Sequence, residues 1–352
     1  MIHKIIFLFI MILSTSFSQV ETLTSPPDTS KGPVIVSVTM KLLDINEIEG
    51  ASQSFNANVF FELEWVDKRL AHDGKSERKI KLDDIWHPNM EFANETFLRR
   101  TFPRIAYISP EGKVTFFQRM VGDFSQALVL NEFPFDVQTI ELVLVSVDML
   151  HRNDIQIKPL HDEAGYIGDS FSLPDWNIVG HSFNAVSYKP ISTAGGDPAV
   201  SFKIIVKRKL GYYWLHIILP LIFIVIMSMT IFWIPPQQQG AQVGISTTSM
   251  LTLIAYKFAI SNSIPSVSYL TRLDIFILVS TVLVFFALIH SIVTAQLVDK
   301  GMEKLALRMD WINRFLFPAA FIYTVLYVLI LPRDEFGHAN WSQLFSSLLD
   351  YL

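Results

Sequence analysis

The 352-residue sequence has no cysteine. No disulfide, thiolate metal site or cysteine nucleophile is therefore available in any compartment. Charge is scarce as well: 17% of residues are Asp, Glu, Lys or Arg, against about 25% in an ordinary soluble domain. The formal net charge of −5 leaves no basic footprint for nucleic acid. The nine histidines are scattered, and neither His-Glu-x-x-His nor Gly-x-Ser-x-Gly occurs. Asp162, Glu163 and Asp169 are carboxylates that fit Ca²⁺ or, more simply, a solvated loop. The expectation is no enzyme, no cofactor and no metal centre.

What is abundant is apolar surface. Hydrophobic residues make up 51% of the chain. Lys4 precedes an apolar run, Ile5 to Leu13, and Ser16-Phe17-Ser18 fits a small-x-small cleavage site. Residues 1–18 read as a secretory signal peptide, which exports the adjoining N-terminal half of the chain. Residues 19–33 are a polar, Pro-rich leader, and 333–352 a C-terminal tail.

Between Gly211 and Val298 the only charges are Lys257, Arg272 and Asp274. Four apolar segments fall in 210–332, with spans expected at 212–234, 243–262, 273–297 and 309–331. The first, of 23 residues, is about 35 Å long as a helix, enough to cross a hydrocarbon core of about 30 Å. Four spans after an exported half return the C-terminus outside. Lys300, Lys304, Arg308 and Arg314 then fall inside, as the positive-inside rule prefers, although Lys203, Lys207, Arg208 and Lys209 sit outside. The lipid bilayer is the first partner, and the cell membrane the location, with both termini outside.

In the exported half, 34–209, the period is two. Val34–Met40, Val59–Trp65, Thr139–Val147 and Val200–Val206 alternate like strands. Turn signals at Asp73-Gly74, Glu111-Gly112 and Gly195-Gly196 separate them. The fold class expected is an extracellular β-sandwich followed by a four-helix transmembrane bundle.

The second span stands apart. Gly244, Thr248, Leu251, Ala255 and Phe258 follow a 4-3-4-3 spacing along one helix face. Such a small, polar stripe either packs closely against other helices or lines water. One helix cannot enclose a pore, so the second reading needs several copies in a ring.

At this point the sequence resembles the pentameric ligand-gated ion channels, the Cys-loop receptor superfamily, and within it the bacterial members. Phe133-Pro134-Phe135-Asp136-Val137-Gln138 resembles the family's signature loop, with Gln126 and Ile140 where animal members carry the two cysteines. Trp65-Val66-Asp67, Trp86-His87-Pro88, Arg208 ahead of Pro220, and Met250-Leu251-Thr252 with Asn262-Ser263-Ile264-Pro265 extend the match over about 34–331. The resemblance implies a homopentamer whose second helices surround a pore, a small-molecule agonist bound between sandwiches, and passive conduction of inorganic ions. A non-conducting, membrane-anchored binding or sensor protein is the alternative from another class. A transporter is disfavoured by the lack of an internal repeat.

The resemblance also assigns residues. Leu251 would form the gate by dewetting, with Phe258 a second constriction. Glu47, Ile48, Phe133, Pro134, Phe135, Asp136, Arg208 and Pro265 would couple sandwich to membrane. Phe60, Phe92 and Tyr188 would form an aromatic cage suited to an amine, helped by Glu62, Glu91 and Asp148. Val147 and Asp197 depart from the family's aromatics. Gly240, Ala241 and Gln242 would form the inner mouth. The mouth lacks a glutamate ring and resembles the Pro-Ala-Arg-Val-Gly of anion-selective members, with Gln242 for the arginine. That likeness leans toward anions.

Overall fold

The computed structural model describes residues 23–30, 32–148, 152–161, 164–168, 171–189 and 196–331. The signal peptide and the tail expected from the sequence lie outside the described residues, as do Asp162, Glu163 and Asp169.

Among the described residues, twelve strands build the N-terminal half. They are β1 (Val34–Glu49), β2 (Ser54–Val66), β3 (Arg78–Lys81), β4 (Met90–Phe92), β5 (Glu95–Arg100), β6 (Ile105–Ile108), β7 (Lys113–Ser125), β8 (Val137–Ser146), β9 (Ile155–Pro159), β10 (Gly165–Ile167), β11 (Trp176–Tyr188) and β12 (Asp197–Arg208). They form an eight-stranded sheet with the path β10-β1-β2-β7-β6-β3, to which β5 and β9 add, and a four-stranded sheet ordered β11-β12-β8-β4.

Alternation decides which side of each strand is covered. Along β2, Phe55, Ala57, Val59, Phe61, Leu63 and Trp65 are buried, while the even-numbered residues turn outward. Between the sheets Phe61 meets Phe92 edge to face at 5.9 Å, and Trp65 meets Trp86 in the same way at 6.2 Å. The chain is thus a sandwich whose inner faces exclude water and whose outer faces remain free to carry a ligand site.

Four apolar helices come next among the described residues: α1 (Gly211–Trp233), α2 (Gln239–Ile260), α3 (Arg272–Asp299) and α4 (Glu303–Ile330). The helices outrun the apolar segments at their cytoplasmic ends, α2 starting at Gln239 rather than at 243 and α4 at Glu303 rather than at 309. The added turns carry polar residues, among them Gln239 and Gln242 on α2 and Glu303, Lys304 and Arg308 on α4. In α1 a π-helical turn, Trp214–Ile218, comes just before Pro220, which lacks the N–H of a regular turn. Thr271 caps α3, accepting from the Asp274 amide while Asp274 accepts from that of Thr271.

Candidate functional site

Three places carry the chemistry: the joint between sandwich and bundle, the outward faces of the two sheets, and the free face of α2.

The joint is built around two buried arginines. Arg208 ends β12. Its Nε and Nη2 donate to the two carboxylate oxygens of Asp136 at 2.7 and 3.1 Å, and Nη1 reaches the Tyr213 hydroxyl at 3.4 Å. The guanidinium lies 4.0 Å from the Trp176 ring centroid and 4.8 Å from that of Phe133. This is a forked, stacked arrangement that a point charge cannot reproduce. Burial opposes the charge on Arg208, but its bonds to Asp136 outweigh that and raise its pKa. Asp136 also accepts from Gln138 Nε2 at 2.8 Å.

Glu47, expected in this cluster, is not there. It is exposed and lines a separate cleft of about 480 Å³ with Glu49, Ser52 and Asp123. Two bulges, between Leu42 and Asp44 and between Ile45 and Glu47, interrupt the alternation of β1 here and leave Glu47 in solvent, whereas its neighbour Ile48 is buried in the core.

The second arginine, Arg272 at the start of α3, belongs to no motif that the sequence displays. Its Nη1 donates to Glu132 at 2.9 Å, and its Nε and Nη2 donate to the carbonyls of Val328 and Leu331 at the end of α4. It lies 4.8 Å from the Phe135 ring centroid. Backbone bonds from Arg272 N to the Asn131 carbonyl and from Leu273 N to the Phe133 carbonyl tie the same loop to α3. One side chain therefore joins the signature loop, α3 and α4.

The loop also holds the segment between α2 and α3, because Leu130 N donates to the Tyr269 hydroxyl at 3.0 Å. Pro134, buried behind it, follows Phe133 through a cis peptide bond. Gly50, in the turn between β1 and β2, approaches so closely that a Cβ there would sit 2.8 Å from Leu130 Cδ1 and 3.4 Å from Pro265 Cβ. Pro265 is thus touched from the sandwich at Gly50.

The ligand candidates divide between the sheets. Phe60 and Glu62 face outward from β2, on the eight-stranded sheet. Phe60 packs against Phe117 at 6.1 Å, and Phe117 against Phe102 at 5.9 Å and Tyr107 at 5.3 Å. This aromatic patch extends well past the one residue read from sequence. Burial, with Glu64 nearby, holds the Glu62 carboxyl above its usual range, while Lys113 opposes the rise.

Tyr188 lies on the other sheet, against Val143, Val145, Ala199, Ala93 and Val147 on its outer face. Asp148 borders a nearby cleft of about 670 Å³ with His87 and Arg104. Burial and the Arg104 charge hold the His87 pKa below the usual imidazole value. Phe92 does not belong with them. It is 2% exposed and packs into the core against Phe61 and Phe124. Strand β4 turns Phe92 inward, and its neighbour Glu91 is exposed.

On α2 the stripe Gly244, Thr248, Leu251, Ala255 and Phe258 is exposed throughout, with Leu251 66% and Phe258 77% accessible. The opposite face, Gln242, Ser246, Ser249, Leu253 and Ile260, is buried against the bundle. Thr248 and Thr252 donate to carbonyls one turn back, at 2.8 Å each, so the helix satisfies its own hydroxyls. Gly240 and Ala241 are exposed at the inner end, but Gln242 is fully buried. Its amide is held by protein groups, among them the Ile234 carbonyl at 2.8 Å. The likeness to an anion-selective arginine position therefore does not carry over, since this side chain points into the bundle.

Comparison with known proteins accounts for this architecture. Residues 11–210 match the profile of the neurotransmitter-gated ion-channel ligand binding domain. Residues 217–317 match that of the neurotransmitter-gated ion-channel transmembrane region. The chain is similar to a proton-gated ion channel of Gloeobacter violaceus, 26% identical over 309 residues, which are 86% of this chain and 84% of that protein. A sandwich joined through buried arginines to four apolar helices, matched in both halves, places this chain in the neurotransmitter-gated ion-channel family, as a multi-pass membrane protein with an extracellular N-terminal domain that acts as a ligand-gated ion channel and not as an enzyme.

Proposed function

We propose that the channel is a homopentamer in which a small amine binds between neighbouring sandwiches and opens a pore lined by Gly244, Thr248, Leu251, Ala255 and Phe258. The carrying observation is the exposed stripe of α2, the least apolar of the four helices, whose other face is fully used by its own bundle. A face with Thr248, flanked by the exposed Thr247 and Thr252, and with Gly244 and Ala255 suits water better than lipid. Five copies in a ring would turn it inward.

The two half-sites give the same answer. The Phe60 patch and the Tyr188 cluster lie on the outer faces of opposite sheets, with the sandwich core between them. A second copy can bring one against the other. The patch then supplies ring faces for a cation and Glu62 supplies the counter-charge.

The test is single-channel recording from purified protein in bilayers, with amines, amino acids and pH steps applied in turn. The similar channel's name as proton-gated is the reason for the pH steps. Current evoked by an amine, together with a pentamer by native mass spectrometry, supports the proposal. A folded protein that binds amines without conducting would favour the sensor reading instead. Glu62 adds a pH signature. Its carboxyl protonates at a higher pH than an ordinary glutamate, so amine affinity should fall as pH drops through that raised value. Glu62→Gln should flatten this dependence, as read from dose-response curves at several pH values.

A smaller effect is expected at Glu132. Its side chain is 35% exposed in the pair with Arg272, so Glu132→Gln should cost no more than about 1 kcal/mol of coupling. The half-maximal agonist concentration would then rise by up to about fivefold, with unchanged binding in a ligand-displacement assay.

A further inference from the structure

Behind the inner end of α2 a closed polar network runs through the bundle. Gln242 Nε2 lies 3.2 Å from the Ile231 carbonyl, 2.8 Å from that of Ile234 and 3.3 Å from Asp310 Oδ2. Gln242 Oε1 accepts from the Thr294 hydroxyl at 3.1 Å. The other carboxylate oxygen of Asp310 faces His290 Nε2 at 2.7 Å, and His290 Nδ1 faces Asn313 Nδ2 at 2.9 Å. Phe232 closes the imidazole edge to face at 5.0 Å. All four helices contribute, and Gln242, Asp310 and His290 are 0%, 2% and 6% exposed.

Ionisable groups inside a membrane bundle are costly and mark function more often than packing. The lumen side suggests what this one does. Gly240, Ala241 and Gly244 give the exposed face almost no side chain at the mouth. The position of the α2 backbone is instead fixed from behind, by Gln242. The far end of the network is on α4, which has no residue in the stripe.

Histidine is the side chain whose ordinary charge change falls between pH 5 and 8. As a neutral ring, His290 donates from Nε2 to Asp310 and accepts at Nδ1 from Asn313, so every member is satisfied. A second proton sets Nδ1–H against the Asn313 amide nitrogen. It also draws the Asp310 carboxylate toward the imidazolium and away from Gln242. The other charges on this half of α4 are Glu303, Lys304, Arg308 and Arg314, of which Arg314 donates to the Phe232 carbonyl at 3.2 and 2.9 Å. The cytoplasmic half of α1 carries no titratable residue, the charge of α2 is Lys257 near its outer end, and α3 adds Asp299 at its terminus.

We propose that His290, Asp310 and Gln242 are positioning residues through which α4 sets the inner mouth of the pore, and that protonation of His290 shifts that setting and with it the open probability. The proposal rests on the reading of α2 as the pore helix. Coupling between two linked sites is typically about 5- to 150-fold, so a change of at least about fivefold is expected when the cytoplasmic face is acidified.

The experiment uses inside-out patches of the full-length channel. Current is evoked by an amine from the screen, or is the spontaneous current of a Leu251→Thr background. His290→Gln keeps an amide N–H for Asp310 without a titrating ring, and its open probability should not follow cytoplasmic pH. Asp310→Asn, which keeps the shape but removes the charge, should also blunt the response and serves if His290→Gln does not assemble. Conduction that ignores cytoplasmic pH in the parent channel would overturn the proposal and leave the pore reading intact. Full pH dependence retained in both variants would also overturn it. No current from either the parent or the Leu251→Thr channel would overturn the pore reading and this proposal together.

Discussion

Arg208→Ala channels should give no agonist-evoked current. The substitution removes both prongs of the fork on Asp136 and the stacked plane between Trp176 and Phe133. Side-chain exposure in this pair is 8% for the arginine and 2% for the aspartate, so Asp136 would be left as a buried carboxylate with Gln138 as its remaining side-chain donor. Breaking a buried pair in this way costs about 3–5 kcal/mol. That is enough to displace the signature loop, whose other contacts go to Arg272 and Tyr269. Arg208→Lys should lie between wild type and alanine, since an ammonium keeps the charge but not the fork or the stack. Surface labelling beside current recording separates failed assembly from failed gating. Glu47→Gln, at an exposed position lining its own cleft, should change little. A normal dose-response from surface-expressed Arg208→Ala would refute the assignment of this joint.

The joint also shows what could be read from the chain alone and what could not. Asp136 and Arg208 were accessible through the signature loop and the position ahead of Pro220. Arg272 is one of only three charges between Gly211 and Val298 and stands at the edge of an apolar run, a place where a side chain can equally reach the interface. Its partners, Glu132 and the carbonyls of Val328 and Leu331, lie 140, 56 and 59 residues away, and no local period records such distances. Likeness puts Glu47 with Arg208, but β1 is bulged just before it and leaves it exposed, an irregularity that no local period records.

Local patterns were more reliable where the period had room to repeat. The thirteen residues of β2 set Phe60 and Glu62 outward without ambiguity, whereas the three residues of β4 gave Phe92 too little alternation to betray that it faces the core. Gln242 was legible in hindsight. The series Gln242, Ser246, Ser249, Leu253 repeats the same 4-3-4 spacing as the exposed stripe, displaced around the helix. Two stripes on one membrane helix mean two destinations, and only one can be the lumen. The aromatic patch around Phe117 was hidden because Phe116 and Phe117 are adjacent, one facing the core and one facing out. Apolar-polar alternation cannot be read where both faces of a strand are aromatic.

Leu251→Thr should produce current without agonist. In a ring of five, the leucine side chains would present only methyl groups to the narrowest part of the pore, and a lumen of that kind empties of water before it closes sterically. The closed state is then a dry plug, favoured because wetting it exposes apolar surface. Threonine shrinks that surface and offers a hydroxyl. On α2 the hydroxyls of Thr248 and Thr252 already bond to carbonyls one turn back, so a threonine at 251 can do the same without unwinding the helix. Leu251 is 66% exposed in the single chain, so shortening it removes little packing within its own bundle. The change therefore acts on the balance between closed and open states rather than on folding. A shift of ~1.4 kcal/mol in that balance alters the closed-to-open ratio about tenfold. Resting current should rise, and the half-maximal agonist concentration should fall by a similar factor, while ligand affinity measured on the isolated sandwich site by displacement stays tied to the binding residues. A pore blocker should remove the resting current. Unchanged resting current and unchanged dose-response in a well-expressed variant would move the constriction elsewhere along the stripe. Phe258, the bulkiest exposed side chain on that face and nearer the outer mouth, is then the position to substitute.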